Sequence, residues 1–529
     1  MSNPAQRDRV VAFIDIGTNS VRLMVVRINP NNSYTILTRQ KQQVRLGEGE
    51  FEKEVILPEA MERTIVVCKK FTELARTFNA EEFVAVATSA TREAVNQQDL
   101  LIQLRREAQL DVRVVSGREE ARLIYLGVSS GIHLDGRQAV FIDIGGGSTE
   151  IAVGDEHQYQ VLESFKLGAI RLTNRSLVAK DPAPVPSTTY KKILQQAKNV
   201  MAPAIRELKK QKIECAIGSS GTIVNLAEIA SRTLYQNNSP QGNDLSYHDL
   251  KKVIGLLCSL PLEQRRKVPG INPERADIII AGAAILDTFM KELQLERITA
   301  TSRGLQDGLL ADYLSRIDTF PLIGKLSVRE RSVLQLGRSC GINEAHARTV
   351  TSLALGLFDS AKELRLHSLQ DNDRELLQYA TFLHDIGSFI AYTNHQAHSY
   401  YIISNAELLG FDSHEIAMMA NIARFHRKGV PRKKTPDVSE LDTREWEIVR
   451  VLSTFLRLAE SLDRSHAAFI RDVRFNRQEK GNVYLSVNAR GDCQLEIWGV
   501  EAEKKAFEKV FLKSLVCGVF FLYDEPCQV

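Results

Sequence analysis

The sequence predicts an α/β protein whose first half is a duplicated, two-lobed assembly, followed by an all-α domain and a small α/β domain at the C-terminal end. Three observations carry that expectation. The motif Phe-Ile-Asp-Ile-Gly occurs twice, at residues 13–17 and 141–145, about one domain apart. After about residue 312 the apolar residues recur at three- and four-residue spacing, the period of a helix, and from about residue 475 a strand-like alternation returns. At 529 residues the chain exceeds what one core covers, and the expected domains span 1–125, 126–312, 313–474 and 475–529.

Composition narrows the class. Hydrophobic residues at 44% and charged residues at 25% fit a globular chain and exclude a disordered or fibrous one. A net charge of +3 is too small to argue for a polyanionic partner, so any such argument rests on local clusters. Cys68, Cys215, Cys258, Cys340, Cys493, Cys517 and Cys527 include no C-x-x-C pair, which fits reduced, mostly buried thiols rather than disulfides or a zinc site. Residues 1–17 show no apolar stretch followed by a small-residue cleavage site, and no window holds 18 apolar residues. A cytoplasmic protein with no membrane partner is expected.

Laying Asp15 over Asp143 also lays Ser20 over Ser148. Each copy is an apolar run rich in Val and Ile, a short loop of Gly, Ser, Thr or Asn, and a second apolar run, the pattern of a β-hairpin. Neither G-x-x-x-x-G-K-[ST] nor G-x-G-x-x-G is present, so a loop opening a helix is not how these segments would hold phosphate. In a hairpin, small residues let backbone N–H groups approach phosphate oxygens, hydroxyls add donors, and the leading Asp can hold Mg²⁺ or its waters. The first candidate phosphate loop is Asp15, Thr18, Asn19 and Ser20; the second is Gly145, Gly146, Gly147 and Ser148. One such hairpin is an ordinary tight turn; two equivalent copies favour function.

A third loop, Gly218, Ser219, Ser220, Gly221 and Thr222, reads as strand, turn and helix, with Ser220 or Thr222 as helix cap. A capped helix N-terminus is itself an anion site. Hydrolysing a phosphoanhydride further needs a base for water and cations for the equatorial oxygens. Glu119 and Glu120 stand at a strand-to-helix junction, where two acids also suit the first helical turn. Adjacent residues point in different directions, so at most one faces a cleft. Asp143 and Glu150 flank the second loop, and Arg92 lies in the loop TSATRE, where a solvated charge is the ordinary alternative.

In order, the segments FIDIGTNSVRLMV, ATSATREA, VVSGREEARLIYLGV, FIDIGGGSTE and AIGSSGT resemble the exopolyphosphatase and guanosine pentaphosphate phosphohydrolase (Ppx/GppA) family, over about the first 310 residues. That resemblance implies an actin-like (ribonuclease H-like) fold and an Mg²⁺-dependent phosphohydrolase. Its substrate would be inorganic polyphosphate, releasing terminal orthophosphate, or alternatively guanosine pentaphosphate (pppGpp). It implies a homodimer, Glu120 as general base, Asp143 and Glu150 as residues that hold the metal or order the water, and Arg92 as a phosphate clamp. The residues alone do not choose Glu120 over Glu119. A non-enzymatic regulator sensing nucleotide or polyphosphate is the competing class, and retention of Glu120, Asp143 and Glu150 argues against it.

The helical half carries His346, the His384-Asp385 pair and Asp463, each near or within a different helix. Their order resembles the HD phosphohydrolase superfamily, which implies a divalent metal on these four residues, with His395, His398 and His426 available as further ligands. A buried histidine that is merely hydrogen-bonded is the alternative. Arg424, His426, Arg427, Lys428, Arg432, Lys433 and Lys434 form a basic run that is either a solvated loop or a track for a polyanion such as polyphosphate. No RNA-recognition or helix-turn-helix signature accompanies it, so no nucleic-acid partner is expected. At the end, NVYLSVNAR, DCQLEIWGV and VFFLY read as strands and EAEKKAFEKVF as a charged helix.

Overall fold

Each Phe-Ile-Asp-Ile-Gly segment forms the central strand of a sheet in a computed structural model that describes residues 8–176, 183–235, 244–317, 326–427, 441–479 and 481–521. Lys428, Arg432, Lys433, Lys434 and Cys527 lie outside the described residues. The chain divides into two units, Met1–Lys325 and Leu326–Val529.

In the first unit β1 (Arg9–Ile16), β2 (Ser20–Ile28), β3 (Tyr34–Gln43), β4 (Glu82–Ala87) and β5 (Val112–Val114) lie in the order β3-β2-β1-β4-β5. The first three are an antiparallel meander, and β4 and β5 continue the sheet in parallel. The second sheet repeats the plan with β6 (Ala139–Ile144), β7 (Thr149–Gly154), β8 (Tyr159–Phe165), β9 (Cys215–Ser219), β10 (Asp244–Ser246) and β11 (Arg297–Ala300). Its order is β8-β7-β6-β9-β11, with β10 added antiparallel at the edge. This is the duplicated actin-like architecture. Alternate residues of β1 pack into two separate cores, Ala12, Ile14 and Ile16 on one face and Val11 and Phe13 on the other, which is why the strand reads as an unbroken apolar run.

The second of those cores is shared by both sheets, because Phe13, Phe141, Leu123 and Leu309 all belong to it. Leu123 comes from the helix Gly117–Ser129 and Leu309 from the helix Leu305–Ser315, and the two helices cross at glycines. A Cβ on Gly308 would lie 1.8 Å from the Leu123 carbonyl oxygen, and one on Gly127 would lie 2.1 Å from that of Gly304. Only glycine permits that approach, and it holds the later turns of Gly117–Ser129 against the helix Leu305–Ser315.

The second unit begins with helices Val328–Ser339, Glu344–Glu363, Asp371–Phe382, His395–Asn405, Ser413–Arg424 and Thr443–Ser461. Reciprocal caps start three of them, pairing Ser327 with Glu330, Asp412 with Glu415 and Asp442 with Glu445. A sheet of β12 (Ile470–Glu479), β13 (Asn482–Ala489) and β14 (Ser514–Phe521) closes the unit. The alternation read at DCQLEIWGV is not a strand: it opens the helix Gln494–Phe511. Burial there follows Glu496, Gly499 and Val500, a helical stripe, while Leu495 and Trp498 are exposed. Gly499 packs on Ser461, so contact with the preceding helix overrides the period-two pattern. No helix among the described residues is long and apolar enough to cross a membrane.

Candidate functional site

Both leading aspartates sit near the end of a central strand, and cross-strand register decides what faces them. Arg22 is opposite Asp15, and Glu150 is opposite Asp143. The turns close identically, Gly17 N–H donating to the Ser20 carbonyl at 3.1 Å and Gly145 N–H to that of Ser148 at 2.9 Å. The two turns also meet. A Cβ on Gly147 would lie 2.6 Å from Ser89 Oγ and 2.9 Å from Thr18 Oγ1, so the second loop can approach the first only as glycine.

The third loop joins them through Ser219, whose hydroxyl donates to Asp143 Oδ2 at 2.5 Å instead of capping the helix Ser220–Leu234. The hydroxyl of Ser220 accepts from Thr222 N–H at 3.3 Å, and Ser220 itself is held at φ 87°, a strained value for a residue with a Cβ. Gly221 lies flat under Arg275, since a Cβ there would be 2.3 Å from the guanidinium.

A cavity of 380 Å³ opens between the lobes. Asp15, Thr18, Asn19, Ser20, Glu120, Asp143, Gly145, Gly146, Ser148, Ser220, Gly221 and Thr222 line it. Gly147, Gly218, Ser219, Glu150 and Arg92 do not. Arg92 instead lines an adjacent cavity of 660 Å³ with Ser148, Arg118 and Lys166. Arg92 connects the two, because its Nη1 donates to Glu120 Oε2 at 2.9 Å and to the Val115 carbonyl at 2.9 Å.

Four carboxylates converge here, Asp15, Glu120 and Glu150 buried and Asp143 half-buried. Burial pushes Asp15 up to about 6, with Arg22 opposing and Asp143 adding to the rise. Burial raises Asp143 as well, against the hydrogen bond from Ser219. Glu150 is raised well above the ordinary range by burial, then by the charges of Glu120 and Asp143, and accepts from the Ser164 hydroxyl at 2.9 Å. Glu120 is pushed up to about 7 by burial, with Arg92 the main opposing influence. Its neighbour Glu119 turns away, held in a fork by Arg122 at 2.8 and 2.9 Å, and that fork holds its carboxyl below the usual range. Asp15 Oδ1 is buried with no hydrogen-bond partner among the described residues.

The sequence reading missed the cations opposite these acids. Arg22, Lys41 and Arg275 line the same cavity, and none of them joins an ion pair among the described residues. Burial lowers Lys41 to about 8 and Arg275 to about 10, and the like charge of Arg22 presses on both. Register alone could have found Arg22, which occupies in the first hairpin the place of Glu150 in the second. Lys41 stands opposite Arg22 on the next strand of the same meander, and Arg275 comes from a short turn that only the fold brings in.

In the helical unit His346, His384 and Asp385 do come together, and the fourth member is Glu460. Asp463 stands outside the group and accepts from His346 Nδ1 at 2.7 Å, while Glu460 Oε2 lies 3.1 Å from His346 Nε2 and 3.0 Å from His384 Nε2. Glu460 and Asp463 are three residues apart at one helix end, so periodicity leaves either free to be the ligand. Asp385, His395 and His426 form a second group, and His398 is in neither.

A two-lobed actin-like unit with two glycine turns meeting beside a cluster of carboxylates fits a phosphate-transferring or phosphate-hydrolysing class. The Ppx/GppA phosphatase family matches residues 24–317, and its domain III matches residues 328–504. The chain belongs to the Ppx/GppA phosphatase family and is a phosphatase of that family. Among solved structures it is similar to an exopolyphosphatase from Cytophaga hutchinsonii, with 26% identity and a TM-score of 0.54 over 59% of this chain and 99% of that one. It is also similar to an exopolyphosphatase-like protein, with 27% identity and a TM-score of 0.53 over 59% of this chain and 99% of that one.

Proposed function

We propose that the chain is an exopolyphosphatase, releasing terminal orthophosphate from inorganic polyphosphate by metal-assisted in-line attack of water. The observation that carries this reading is the division of the cleft: Arg22, Lys41 and Arg275, in no ion pair among the described residues, beside the carboxylates Glu120, Asp143 and Asp15. The cations neutralise the equatorial oxygens and incoming chain, and the N–H groups and hydroxyls of the three turns cradle the terminal phosphate. Glu120, with a proton affinity near neutrality, takes the proton of the attacking water, and Arg92 holds that carboxylate in place while facing phosphate.

Asp15, Asp143 and Glu150 fit an Mg²⁺ site, because they offer hard oxygens, repel one another without a cation, and leave Asp15 Oδ1 unsatisfied. Bound there, Mg²⁺ supplies charge for the leaving and transferred phosphates. In the second unit one divalent cation on His346, His384, Asp385 and Glu460 completes the cofactor set. A cytoplasmic homodimer is the assembly this reading carries, checked by sedimentation.

The competing substrate is pppGpp. Among the described residues lining the cleft no aromatic ring is present to stack on guanine, which favours the inorganic chain. Orthophosphate release from long polyphosphate and from pppGpp, each as kcat/KM, tests this. A higher value for pppGpp would overturn the preference.

A further inference from the structure

We infer that Arg171 is a positioning residue for the second phosphate loop: by holding the Gly147 carbonyl it aims the Ser148 N–H at the bound phosphate. The inference rests on the reading that this loop cradles phosphate, and names the side chain on which the cradle depends.

Peptide geometry makes the case. In a planar trans peptide the C=O of one residue and the N–H of the next point in opposite directions, so whatever holds the carbonyls of a loop also aims its N–H groups. All three loop glycines have their carbonyls held by the segment that opens the helix Ala169–Ser176. Ala169 N–H donates to the Gly145 carbonyl at 2.9 Å, Ile170 and Arg171 N–H to that of Gly146 at 2.9 and 3.1 Å, and Arg171 Nε to that of Gly147 at 2.7 Å. The N–H groups of Gly146, Gly147 and Ser148 therefore point away from that helix, and none of them has an acceptor among the described residues. Gly145, Gly146 and Ser148 line the cleft.

The first loop is held differently. Laying Asp15 over Asp143 lays Thr18 over Gly146 and Asn19 over Gly147. The Thr18 carbonyl accepts from Gly47 N–H at 3.0 Å, and that of Asn19 accepts from Val44 and Arg45 N–H at 3.0 Å each, so backbone alone fixes those peptides. In the second loop the last carbonyl is left to one side chain, on a run of three glycines that has little conformational preference of its own.

Arg171 is itself buried and fixed by what surrounds it. Nη2 donates to Glu93 Oε1 at 2.7 Å, and the guanidinium carbon lies 3.9 Å from the centre of the Phe51 ring. Glu93 is in turn held by the Ser89 hydroxyl at 2.9 Å and by Lys166 Nζ at 3.0 Å. Nε is thereby presented to the loop and Nη2 to the helix Ser89–Glu93, which also carries Arg92. A planar fork serves both partners at once, which the single point of an ammonium does not. Arg171 lines neither the cleft nor the adjacent cavity, so it acts on substrate only through the loop.

The test compares Arg171→Lys with Arg171→Met in the full-length chain with Mg²⁺, reading kcat and KM for orthophosphate release from long-chain polyphosphate beside the unfolding temperature. Lysine keeps a cation for Glu93 and loses the Nε donor to the loop. Arg171→Lys should recover most of the stability that Arg171→Met loses, while kcat falls by roughly 10² in both with KM little changed, the size of losing one oriented donor to developing charge. A kcat near that of the wild type in either variant overturns the inference and leaves Arg171 a structural ion pair. A crystal structure of the wild type with Mg²⁺ and beryllium trifluoride needs neither a variant nor turnover. A fluoride within hydrogen-bond distance of Ser148 N–H, with Arg171 Nε still on the Gly147 carbonyl, supports the inference. An anion bound without Ser148 N–H, or a reversed Gly147–Ser148 peptide, overturns it. Wild type that hydrolyses no polyphosphate yet binds the fluoride in this way would sink the proposed substrate and keep the role of Arg171.

Discussion

The two hairpins share a strand, a turn and a leading aspartate, but differ where the returning strand faces that aspartate. In the first, Arg22 stands opposite Asp15; in the second, Glu150 stands opposite Asp143. One copy therefore holds a compensated charge and the other an uncompensated acid pair. The consequence is visible in the carboxylates. Asp15, with Arg22 opposing its burial, reaches only about 6, whereas Glu150 is driven well above the ordinary range with Glu120 and Asp143 adding to its burial. On the proposed function the duplicated scaffold divides its labour: both hairpins offer an aspartate to the metal, while Arg22 of the first serves the anion and Glu150 of the second serves water and metal.

The largest effects should come from removing acids beside the second hairpin. Glu120→Gln keeps the shape and removes the base, and kcat should fall by roughly 10² or more with KM little changed. Glu150→Gln should fall by a similar factor, with weaker Mg²⁺ activation in a metal titration. In the wild type activity should be lost as pH drops through about 7, because the base must be ionised. Arg92 holds the Glu120 affinity for protons down, so Arg92→Met should move that acid limb to higher pH; a shift to lower pH would refute the assignment.

On the first hairpin the cost should appear in binding. A charge-assisted contact is worth about 1.5 to 3 kcal/mol, so Arg22→Met should lower kcat/KM by roughly 10- to 100-fold, mostly through KM. Raising salt should shrink the difference, since the wild type has more charge to screen. A loss confined to kcat would erase the proposed division between the hairpins.

A smaller effect tests the burial of Asp15. Its folded-state value is raised, so its contribution to stability is present below 3.8 and lost as pH rises through about 6. Asp15→Asn, neutral at every pH, should therefore unfold at a higher temperature than wild type at pH 8 without Mg²⁺. The gain is on the order of 2 to 3 kcal/mol by the size of that shift. It should disappear below about pH 4, and calorimetry at both ends of the range decides it.

How far the sequence reached follows from how local each signal is. The hairpin turns and their acids are encoded within a few residues, so Asp15, Ser20, Asp143 and Ser148 were legible and line one cleft. Arg22 was legible in principle, seven residues after Asp15 as Glu150 is after Asp143. Arg275 was not, because its place depends on packing over Gly221, across the fold. Glu460 and Asp463 show the intermediate case: helical spacing puts both on one face, and only the rotation of Thr443–Ser461 against His346 turns Glu460 inward. The strand expected at DCQLEIWGV failed because Leu495 and Ile497 alternate while the buried stripe runs through Glu496, Gly499 and Val500.

The smallest expected effect separates two neighbours. Glu119 and Glu120 are adjacent in the first turn of Gly117–Ser129, so the helix sends them in different directions. Glu119 is the partner of Arg122, and Arg122 also reaches Asp312 at 2.8 Å, tying this helix to Leu305–Ser315. Glu119 is partly exposed, so the pair is screened by solvent and worth about 0.5 to 1 kcal/mol. Glu119→Gln should leave kcat within about threefold of wild type and lower stability slightly. Its carboxyl is held below the usual range, hence ionised wherever the enzyme works, so the acid limb of the rate profile should stay in place. If that limb moved with Glu119 and not with Arg92, the base would have to be reassigned and the second hairpin would lose its claim to the chemistry.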